Sequence, residues 1–307
     1  MCPDHALGCD SGFGHYLAKR LDSRGFLVFA CCLFPMGEGA IELQNSCSKR
    51  LHVLELDVTN DDSVKKALMY VKENLNTSDL WAIVNNAGIY KGSDAELASM
   101  KDYEDTMAVN VLGMVRVTKA FLPLLRQSRG RVVNLTSLAC QLVGKHLTPY
   151  IMSKHAAQAF TECLALEMEI WQIKVISVQP EFFRTGLTNN EMAGRQLQLT
   201  FQNLQSVVKN AYGSDYLDDL RYLVESVFRD SSPKIDIVID DLESAVSLKD
   251  PDSIYVCNSN FIHAISFYVY IRLPRSFQSF LQEMYIALFY KRFRQPKSSN
   301  NNISNSR

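Results

Sequence analysis

A tyrosine and a lysine four residues apart could carry out acid/base chemistry in this chain. Tyr150 and Lys154 form a YxxxK pattern, which places the two side chains one turn apart on the same face of a helix. A phenol with a pKa of about 10 is a poor base at neutral pH, but a neighbouring ammonium group stabilises the phenolate and lowers that pKa. Such a pair could take a proton from an alcohol. A tyrosine and a lysine at this spacing also occur together by chance as a packing pair.

A serine hydroxyl could assist by holding the substrate oxygen. Ser137 follows the apolar run 131–135 and lies thirteen residues before Tyr150. Ser137, Tyr150 and Lys154 are therefore the candidate residues for proton transfer.

Three glycines form a candidate phosphate-binding turn. Gly8, Gly12 and Gly14 have the spacing GxxxGxG and lead directly into a predicted helix. Glycines let the backbone approach a pyrophosphate, while the start of the helix supplies N–H donors. An ordinary glycine-rich turn would look similar on this motif alone.

In this order and spacing, the motifs resemble the short-chain dehydrogenase/reductase family over about residues 8 to 185. Besides GxxxGxG and YxxxK, the resemblance rests on the NNAG sequence ending at Gly88 and on Asn110 in a long predicted helix. The stretches GCDSGFGHYLAKRLDSRGFLVFACCL and GRVVNLTSLACQLV are most similar to the branch that contains retinol dehydrogenases, 17β-hydroxysteroid dehydrogenases and D-β-hydroxybutyrate dehydrogenase.

The resemblance implies a fold, a reaction and a set of site residues. The fold is α/β, a Rossmann-type doubly wound parallel sheet, and the reaction interconverts an alcohol and a ketone or aldehyde with a nicotinamide cofactor. The implied catalytic residues are Asn110, Ser137, Tyr150 and Lys154. The implied cofactor-binding residues are Gly8, Ser11, Gly12, Phe13, Gly14, Cys32, Asp57, Val58, Asn86, Ala87, Gly88, Tyr150, Lys154, Pro180 and Thr185. In the family, Asp57 would bind the adenine amino group, Lys154 the nicotinamide ribose and Thr185 the carboxamide. No metal is expected.

The end of the predicted second family strand bears on the choice between NAD(H) and NADP(H). An acidic residue there would bind the ribose 2′-hydroxyl, and a nearby arginine would favour a 2′-phosphate. This chain has Cys32 at that position and the neutral Ser11 in the glycine turn. Because no cation is nearby to neutralise a phosphate, we expect NAD(H) to be favoured over NADP(H).

Two features depart from the family pattern. Glu181 stands where the family has glycine after Pro180, which puts the local loop geometry in doubt. The family's first strand should directly precede Gly8, but residues 1–7 include Pro3 and are short and polar, so they cannot form a central strand. We therefore expect the first strand to be missing, with unpaired strand edges on both sides. A non-catalytic relative that acts as a binding protein stays open as an alternative.

Alternating strand-like and helix-like stretches must position these residues. Short apolar runs predict buried strands, and the intervals between them predict helices. The predicted strands are 26–32, 51–58, 80–85, 131–135 and 174–179, and the predicted helices are 14–24, 61–75, 101–127 and 149–171.

The rest of the chain predicts a single dehydrogenase domain with an extension. We expect the domain over residues 1–260, with a helical substrate lid at 186–250, an apolar extension at 261–295 and a disordered tail at 296–307. The aromatic residues and cations of the extension suit an interfacial position on an anionic membrane, or equally a strand and helix packed on the lid or a dimer partner.

Composition limits the partners. Lys and Arg number 32 against 33 Asp and Glu, so no overall basic field exists to hold nucleic acid. The eight cysteines contain no CxxC pair, and adjacent Cys31 and Cys32 fit a strand, which favours a reducing compartment. We expect an intracellular homo-oligomer without a signal peptide in this chain, with possible association with the endoplasmic reticulum or a mitochondrion.

The sequence does not decide between two classes of substrate. The apolar residues of the lid suit a retinoid, a steroid or another lipid alcohol. A small hydroxy acid such as 3-hydroxybutyrate would need a fixed cation, which Arg184 or Lys145 could supply.

Overall fold

The computed structural model describes residues 8–75, 78–188 and 190–289. Its strands are β1 (Val28–Cys32), β2 (Leu51–Glu55), β3 (Ala82–Asn85), β4 (Arg131–Leu135), β5 (Lys174–Pro180) and β6 (Ile254–Cys257). The helices are α1 (Gly12–Ser23), α2 (Glu38–Ser46), α3 (Asp61–Asn74), α4 (Met100–Met107), α5 (Met114–Ser128), α6 (Thr148–Met168), α7 (Asn190–Gln202), α8 (Ser206–Tyr212), α9 (Ser214–Arg229), α10 (Asp236–Ser247), α11 (Phe261–Tyr270) and α12 (Arg275–Phe289). The five predicted strands and four predicted helical regions are all present, whereas α2 and β6 were not predicted.

All strand pairs are parallel, and they form two separate sheets. β1 pairs with β2, while the second sheet has the order β3-β4-β5-β6. Within the described residues, no strand pairs with the edge of β1 away from β2 or with the edge of β3 away from β4. Residues 1–7, for which the sequence predicts no central strand, lie outside the described residues.

Helices cover both faces of the larger sheet, as expected of a doubly wound α/β fold. On one face α1 and α10 pack against β4 and β5 through residues such as Leu17, Leu242 and Ile176. On the other face α3, α5 and α6 pack through residues such as Phe121, Val132 and Leu164. Because both faces are covered, every residue of β4 is buried.

Local signals explain where the helices begin and end. The Asn60 side chain accepts hydrogen bonds from the backbone of Asp62 and Ser63 at the start of α3, and Ser99 and Asp102 form a capping box on α4. After α1 the chain reverses at Gly25, whose φ of +90° suits glycine in the predicted C′ position.

The long predicted helix at 101–127 is interrupted. Between α4 and α5 the backbone forms a π-helical turn over Ala108–Gly113. By length and composition, Met100–Ser128 could cross a membrane, but half of its most apolar window is buried inside the fold. The packing of this segment in the protein core explains its apolar composition.

The predicted lid divides into two parts. Helices α7 and α9 form a separate apolar cluster that includes Ala193, Leu197 and Leu220. In contrast, α10 belongs to the main core against β4 and β5. The cluster that lies apart from the sheet thus includes α7 and α9, while the substrate lid at 186–250 stays a prediction.

The apolar C-terminal segment forms two helices, α11 and α12, so a strand over residues 261–271 is wrong. The runs of apolar residues were too short to distinguish a buried strand from a helix. The predicted tail at 296–307 lies outside the described residues.

Candidate functional site

The candidate proton-transfer residues meet where β4 ends and α6 begins. Tyr150 and Lys154 lie in the first two turns of α6 and are only 8% and 6% exposed. The Lys154 Nζ lies 5.7 Å from the centre of the Tyr150 ring and donates a hydrogen bond to the Leu135 carbonyl at 3.2 Å. The Ser137 side chain lies near enough to the Tyr150 hydroxyl to affect its pKa. The three residues predicted from sequence are therefore brought together.

Burial dominates the acid/base properties of this cluster. It raises the pKa of Tyr150 to about 12, although the neighbouring Ser137 side chain acts in the opposite direction. Burial also lowers the pKa of Lys154 to about 8. The sequence predicted a lowered tyrosine pKa. In the protein alone the pKa is instead raised, because desolvation of the phenolate outweighs the other influences.

Asn110 lies in the π-helical turn, directly below the NNAG segment. Its Oδ1 accepts a hydrogen bond from the Ile89 N–H at 2.8 Å, and its Nδ2 donates to the Ile89 carbonyl and the Ser153 hydroxyl, both at 3.0 Å. A side chain at Gly88 would approach the Asn110 Oδ1 to 3.4 Å and the Lys154 Nζ to 3.8 Å. Asn110 thus links the NNAG segment to α6 beside Lys154, and π-helical turns often occur at functional sites.

The glycine turn is tightly packed against the end of β1 and the NNAG segment. The Asn86 Nδ2 donates to the Gly8 carbonyl at 2.9 Å. A Cβ on Gly14 would lie 2.5 Å from that carbonyl oxygen and 2.6 Å from the Asn86 Nδ2. Gly12 has a φ of +63°, which glycine adopts readily. These contacts require glycine and leave the start of α1 as a cradle suited to a pyrophosphate.

Asp57 and Val58 line the neighbouring groove after β2. The Asp57 Oδ1 accepts hydrogen bonds from the backbone N–H and the hydroxyl of Thr59, which fixes the carboxylate. Val58 packs on Gly113, since a Cβ there would lie 2.6 Å from its Cγ2. Asp57, Val58, Asn86 and Ala87 all line one continuous cavity.

At the end of β1 an acidic side chain is present, but it comes from the glycine turn. The Asp10 carboxylate accepts hydrogen bonds from the backbone N–H groups of Leu33 at 2.9 Å and Phe34 at 3.0 Å. Cys32, the residue singled out from sequence, is 0% exposed in a cluster with Ala18 and Ala30. Its side chain is not turned towards the groove. Sequence reasoning overlooked Asp10 because it sits in the turn rather than at the strand end.

The segment after β5 returns to the glycine turn. Thr185 lies against Gly12, whose Cβ would be 3.5 Å from the Thr185 Cβ, and Phe13 makes an edge-to-face contact with Phe183. The Ser137 hydroxyl also lies 3.4 Å from the Pro180 carbonyl oxygen, to which it can donate. Ser11, the N-cap residue of α1, completes the turn between Gly8 and Gly12.

Glu181 is explained by a structural role. Its Oε1 accepts a hydrogen bond from the Ser259 N–H at 2.6 Å, and its Oε2 lies 3.5 Å from the His263 Nδ1. The glutamate therefore ties the loop after β5 to the start of α11.

A polar network missed in the sequence connects this region to α9. The His146 Nδ1 lies 2.7 Å from the Asp94 Oδ1, and the Tyr216 hydroxyl donates to the Asp94 Oδ2 at 2.5 Å. Tyr90 contacts both Tyr150 and Phe228, with ring centres 5.5 Å and 5.1 Å apart. Cys140 points inward, with its sulfur 3.8 Å from the Gln158 Oε1. These residues lie far apart in sequence, and no short motif marks them.

Comparisons with known proteins show the family to which the chain belongs. A family model described as short chain dehydrogenase matches residues 6–196. The chain is 39% identical over 250 residues to estradiol 17-beta-dehydrogenase 2 of Mus musculus, covering 81% of this chain and 66% of that protein. It is 37% identical to retinol dehydrogenase 7 of Mus musculus, covering 81% and 78%. It is 36% identical to mitochondrial D-beta-hydroxybutyrate dehydrogenase of Rattus norvegicus, covering 87% and 77%.

Solved structures share the fold at lower sequence identity. A short-chain dehydrogenase from Streptomyces avermitilis matches with a TM-score of 0.68 and 22% identity, covering 90% of this chain and 93% of that one. A short chain dehydrogenase/reductase from Burkholderia phymatum, in complex with NAD, matches with a TM-score of 0.70 and 19% identity, covering 90% and 92%. The chain spans just under two thirds of the length of the estradiol dehydrogenase. The matched family model, the curated relatives and the YxxxK, GxxxGxG and NNAG geometry together show that this chain belongs to the short-chain dehydrogenase family.

Proposed function

We propose that this protein is an NAD(H)-dependent oxidoreductase that interconverts an alcohol and a ketone or aldehyde. The observation that carries the proposal is the buried cluster of Ser137, Tyr150 and Lys154 at the end of β4, next to a glycine cradle on the same side of the sheet. In parallel α/β sheets, ligands bind at the carboxyl ends of the strands. Family membership and the dehydrogenase relatives support the same reaction class.

Each residue of the cluster has a distinct role in this proposal. The Tyr150 hydroxyl exchanges a proton with the substrate oxygen, and the Ser137 hydroxyl holds that oxygen in place. The Lys154 ammonium favours the phenolate form of Tyr150 during the exchange. Asn110 positions the NNAG segment against α6 through its contacts with Ile89 and Ser153.

The groove has the features that a dinucleotide needs. Gly8, Gly12 and Gly14 would hold the pyrophosphate at the start of α1, with Asp57 and Val58 beside the adenine and Thr185 on the nicotinamide side. When bound, the nicotinamide ring would supply or accept a hydride, that is a hydrogen with its electron pair, at the substrate carbon. The protein's own part is to bind the dinucleotide, orient the substrate oxygen and move the proton.

Asp10 supports NAD(H) over NADP(H). Its carboxylate occupies the end of β1, where a ribose 2′-phosphate would approach, and it already accepts hydrogen bonds from Leu33 and Phe34. A second negative charge beside this carboxylate would be repelled. The proposed preference therefore rests on an acidic side chain of the glycine turn.

A lipid-type alcohol is the proposed substrate class. The aromatic ring of Tyr90 lies against Tyr150, and Phe228 packs on Tyr90, which suits an apolar substrate body. Lys145, one of the two cations that could bind a hydroxy acid, is paired with Glu283 at 2.9 Å. The estradiol and retinol dehydrogenases among the relatives are consistent with this choice.

We further propose that α11 and α12 attach the protein to the surface of an anionic membrane. Large apolar side chains on α11 are turned outwards, with Phe261 78% and Ile262 73% exposed. Arg272 stacks on Tyr268 at the end of the same helix, so a cation and an aromatic ring lie together where a membrane interface would be. A patch of this kind on a soluble surface needs a partner.

Turnover of a defined panel tests the proposed reaction. Purified protein is supplied with NAD⁺ and, in separate assays, estradiol, retinol or 3-hydroxybutyrate, and NADH formation is recorded. We expect oxidation of at least one lipid alcohol and less activity with hydroxybutyrate. Failure to bind a dinucleotide or to turn over any alcohol or ketone would favour the non-catalytic alternative.

A further inference from the structure

A buried histidine lies between the glycine turn and helix α2. His15 follows Gly14 in the first turn of α1, and its side chain is only 7% exposed. The His15 Nδ1 lies 3.3 Å from the Cys9 carbonyl oxygen, and its Nε2 lies 3.3 Å from the Glu42 Oε2. The ring also meets the Tyr16 ring edge to face, with 5.7 Å between the ring centres. One imidazole therefore joins the backbone of the turn to a carboxylate of the neighbouring helix.

Both groups that face the ring nitrogens can only accept hydrogen bonds. A carbonyl oxygen and a carboxylate have no proton to donate, whereas a neutral imidazole carries one N–H and one acceptor nitrogen. The imidazolium, with two N–H groups, is therefore the form that satisfies the Cys9 carbonyl and the Glu42 carboxylate together. In the neutral ring the single proton goes to Glu42, because hydrogen bonds to a charged acceptor are about twice as strong as neutral ones. The Cys9 carbonyl then faces an acceptor nitrogen.

The other titratable groups around the ring keep a fixed charge near neutral pH. The Lys19 Nζ donates to the Glu42 Oε1 at 2.6 Å, and this hydrogen bond, together with the charge of His15, holds the pKa of the Glu42 carboxyl below its usual range. On the turn, burial raises the pKa of the Cys9 thiol, so this group stays uncharged. The Asp10 carboxylate accepts two backbone hydrogen bonds from the segment after β1. Histidine is the side chain that ordinarily changes charge near neutral pH.

The carbonyl that His15 contacts belongs to the peptide between Cys9 and Asp10. The C=O and N–H groups of a trans peptide point in opposite directions, so holding the Cys9 carbonyl also sets the direction of the Asp10 N–H. The next carbonyl of the turn packs on α2, since a Cβ on Gly39 would lie 1.9 Å from the Asp10 carbonyl oxygen. A binding loop that is fixed before its ligand arrives loses less entropy on binding and gains affinity.

We propose that His15 is a positioning residue for the dinucleotide, and that its protonated ring holds the glycine turn in the form that binds the pyrophosphate. This inference rests on the proposed dinucleotide site. It adds that the affinity for NADH falls as pH rises through neutrality, because the neutral ring releases the Cys9 carbonyl. Attraction between the charged ring and the pyrophosphate would act in the same direction, but it does not require an acceptor at the His15 Nε2.

Fluorescence titration with NADH at about pH 6 and about pH 8 measures this dependence. We expect the unsubstituted protein to bind NADH about three- to tenfold more tightly at the lower pH, which is the effect of one hydrogen bond. Lys154, with a pKa of about 8, also titrates in this range. Because Lys154 is present in every protein that is compared, its contribution cancels.

Glu42→Gln separates positioning from simple charge attraction. The amide that this change introduces can donate to the His15 Nε2, so a neutral ring keeps its proton on Nδ1 and still donates to the Cys9 carbonyl. We expect Glu42→Gln to bind NADH tightly at both pH values. His15→Phe, which keeps a ring without donors, should bind weakly at both. The matched control Glu38→Gln removes a carboxylate from the first turn of the same helix and should keep the pH dependence of the unsubstituted protein.

Three results would overturn the proposal: an affinity of the unsubstituted protein that does not change with pH, a pH dependence that persists in Glu42→Gln, or one that is lost in Glu38→Gln. A dependence that persists in Glu42→Gln would assign the effect to the charge of the ring alone. Absence of saturable NADH binding at both pH values would instead contradict the dinucleotide site itself, and the role of His15 with it. All titrations are run without alcohol, so loss of dehydrogenase activity would leave this test intact.

Discussion

At the scale of single residues, proton transfer depends on the environment of Tyr150 more than on its spacing from Lys154. The YxxxK spacing predicted which side chains would meet. It could not predict that burial raises the pKa of Tyr150 to about 12 and lowers that of Lys154 to about 8, since desolvation depends on the surrounding helices. The protein alone disfavours the phenolate form of Tyr150. A bound substrate and dinucleotide would therefore have to stabilise that form.

Tyr150→Phe should abolish most turnover and leave dinucleotide affinity within a few fold. The change deletes the hydroxyl and keeps the buried ring, and loss of a general acid/base group typically reduces rates by about 10²- to 10⁴-fold. Steady-state turnover and NADH fluorescence quenching measure the two quantities separately. Substantial activity in this variant would rule out the assigned role.

Lys154 should make stability depend on pH in a defined window. Burial lowers its pKa in the folded protein from 10.5 to about 8. Between these two values the unfolded chain binds a proton that the folded protein does not, so stability gains from rising pH. Below pH 8 Lys154 is protonated in both states, so the full cost of burying its ammonium group lowers the stability of the folded protein.

The Lys154→Met variant isolates this effect. Denaturant unfolding is measured for both proteins below pH 8 and near pH 10.5. As pH rises, the free energy of unfolding of the unsubstituted protein should increase relative to that of Lys154→Met. A difference that is constant with pH would show that Lys154 does not titrate in this window.

Asp10 should control the choice of dinucleotide. Asp10→Asn removes the negative charge and keeps an oxygen that can accept from Leu33 or Phe34. We expect the affinity for NADPH relative to NADH to rise about tenfold, equivalent to ~1.4 kcal/mol. Damage to the turn would weaken both dinucleotides, so the ratio of the two dissociation constants is the informative quantity. An unchanged ratio would remove Asp10 from the specificity argument.

At the scale of elements, the sequence predicted the parts that depend on local patterns. Continuous apolar runs located five strands, and Gly25 located the end of α1. The π-helical turn at Ala108–Gly113 was not predicted because no local pattern marks it; within it, Asn110 contacts Ile89 and Ser153. The helical state of α11 likewise could not be read from a short apolar run.

Two glycines at opposite ends of α1 should respond differently to alanine. Gly14→Ala should lower stability and abolish dinucleotide binding, because the new Cβ would lie 2.5 Å from the Gly8 carbonyl oxygen. Gly25→Ala meets no atom within 4 Å and suffers only from its φ of +90°, so it should lose about 1–2 kcal/mol of stability and retain binding. Thermal unfolding and NADH titration of both variants check this contrast. Equal losses of NADH affinity would contradict the proposed cradle.

At the scale of the whole molecule, the split sheet and the exposed C-terminal helices distinguish this chain. The sequence predicted no central strand before Gly8 because residues 1–7 contain a proline and polar residues, and those residues lie outside the described ones. The packing of α10 with the core and of α7 and α9 with each other depended on long-range contacts that no local pattern encodes.

The exposed face of α11 should carry membrane association. Phe261→Ser, Ile262→Ser and Ile265→Ser together should reduce co-sedimentation with anionic liposomes at low salt. The control replaces exposed apolar residues elsewhere, Leu166 and Ile170, with serine. High salt or mild detergent should release the intact protein. If that protein stays in the supernatant at low salt, the helices serve a packing role instead.

The central claim is that the glycine cradle binds a dinucleotide beside a tyrosine that transfers the substrate proton. Fluorescence titration with NADH, followed by turnover on the same samples, tests it most directly. We predict saturable binding by the unsubstituted protein and by Tyr150→Phe, turnover by the former alone, and neither binding nor turnover by Gly14→Ala. Absence of saturable NADH binding to the unsubstituted protein would contradict the claim.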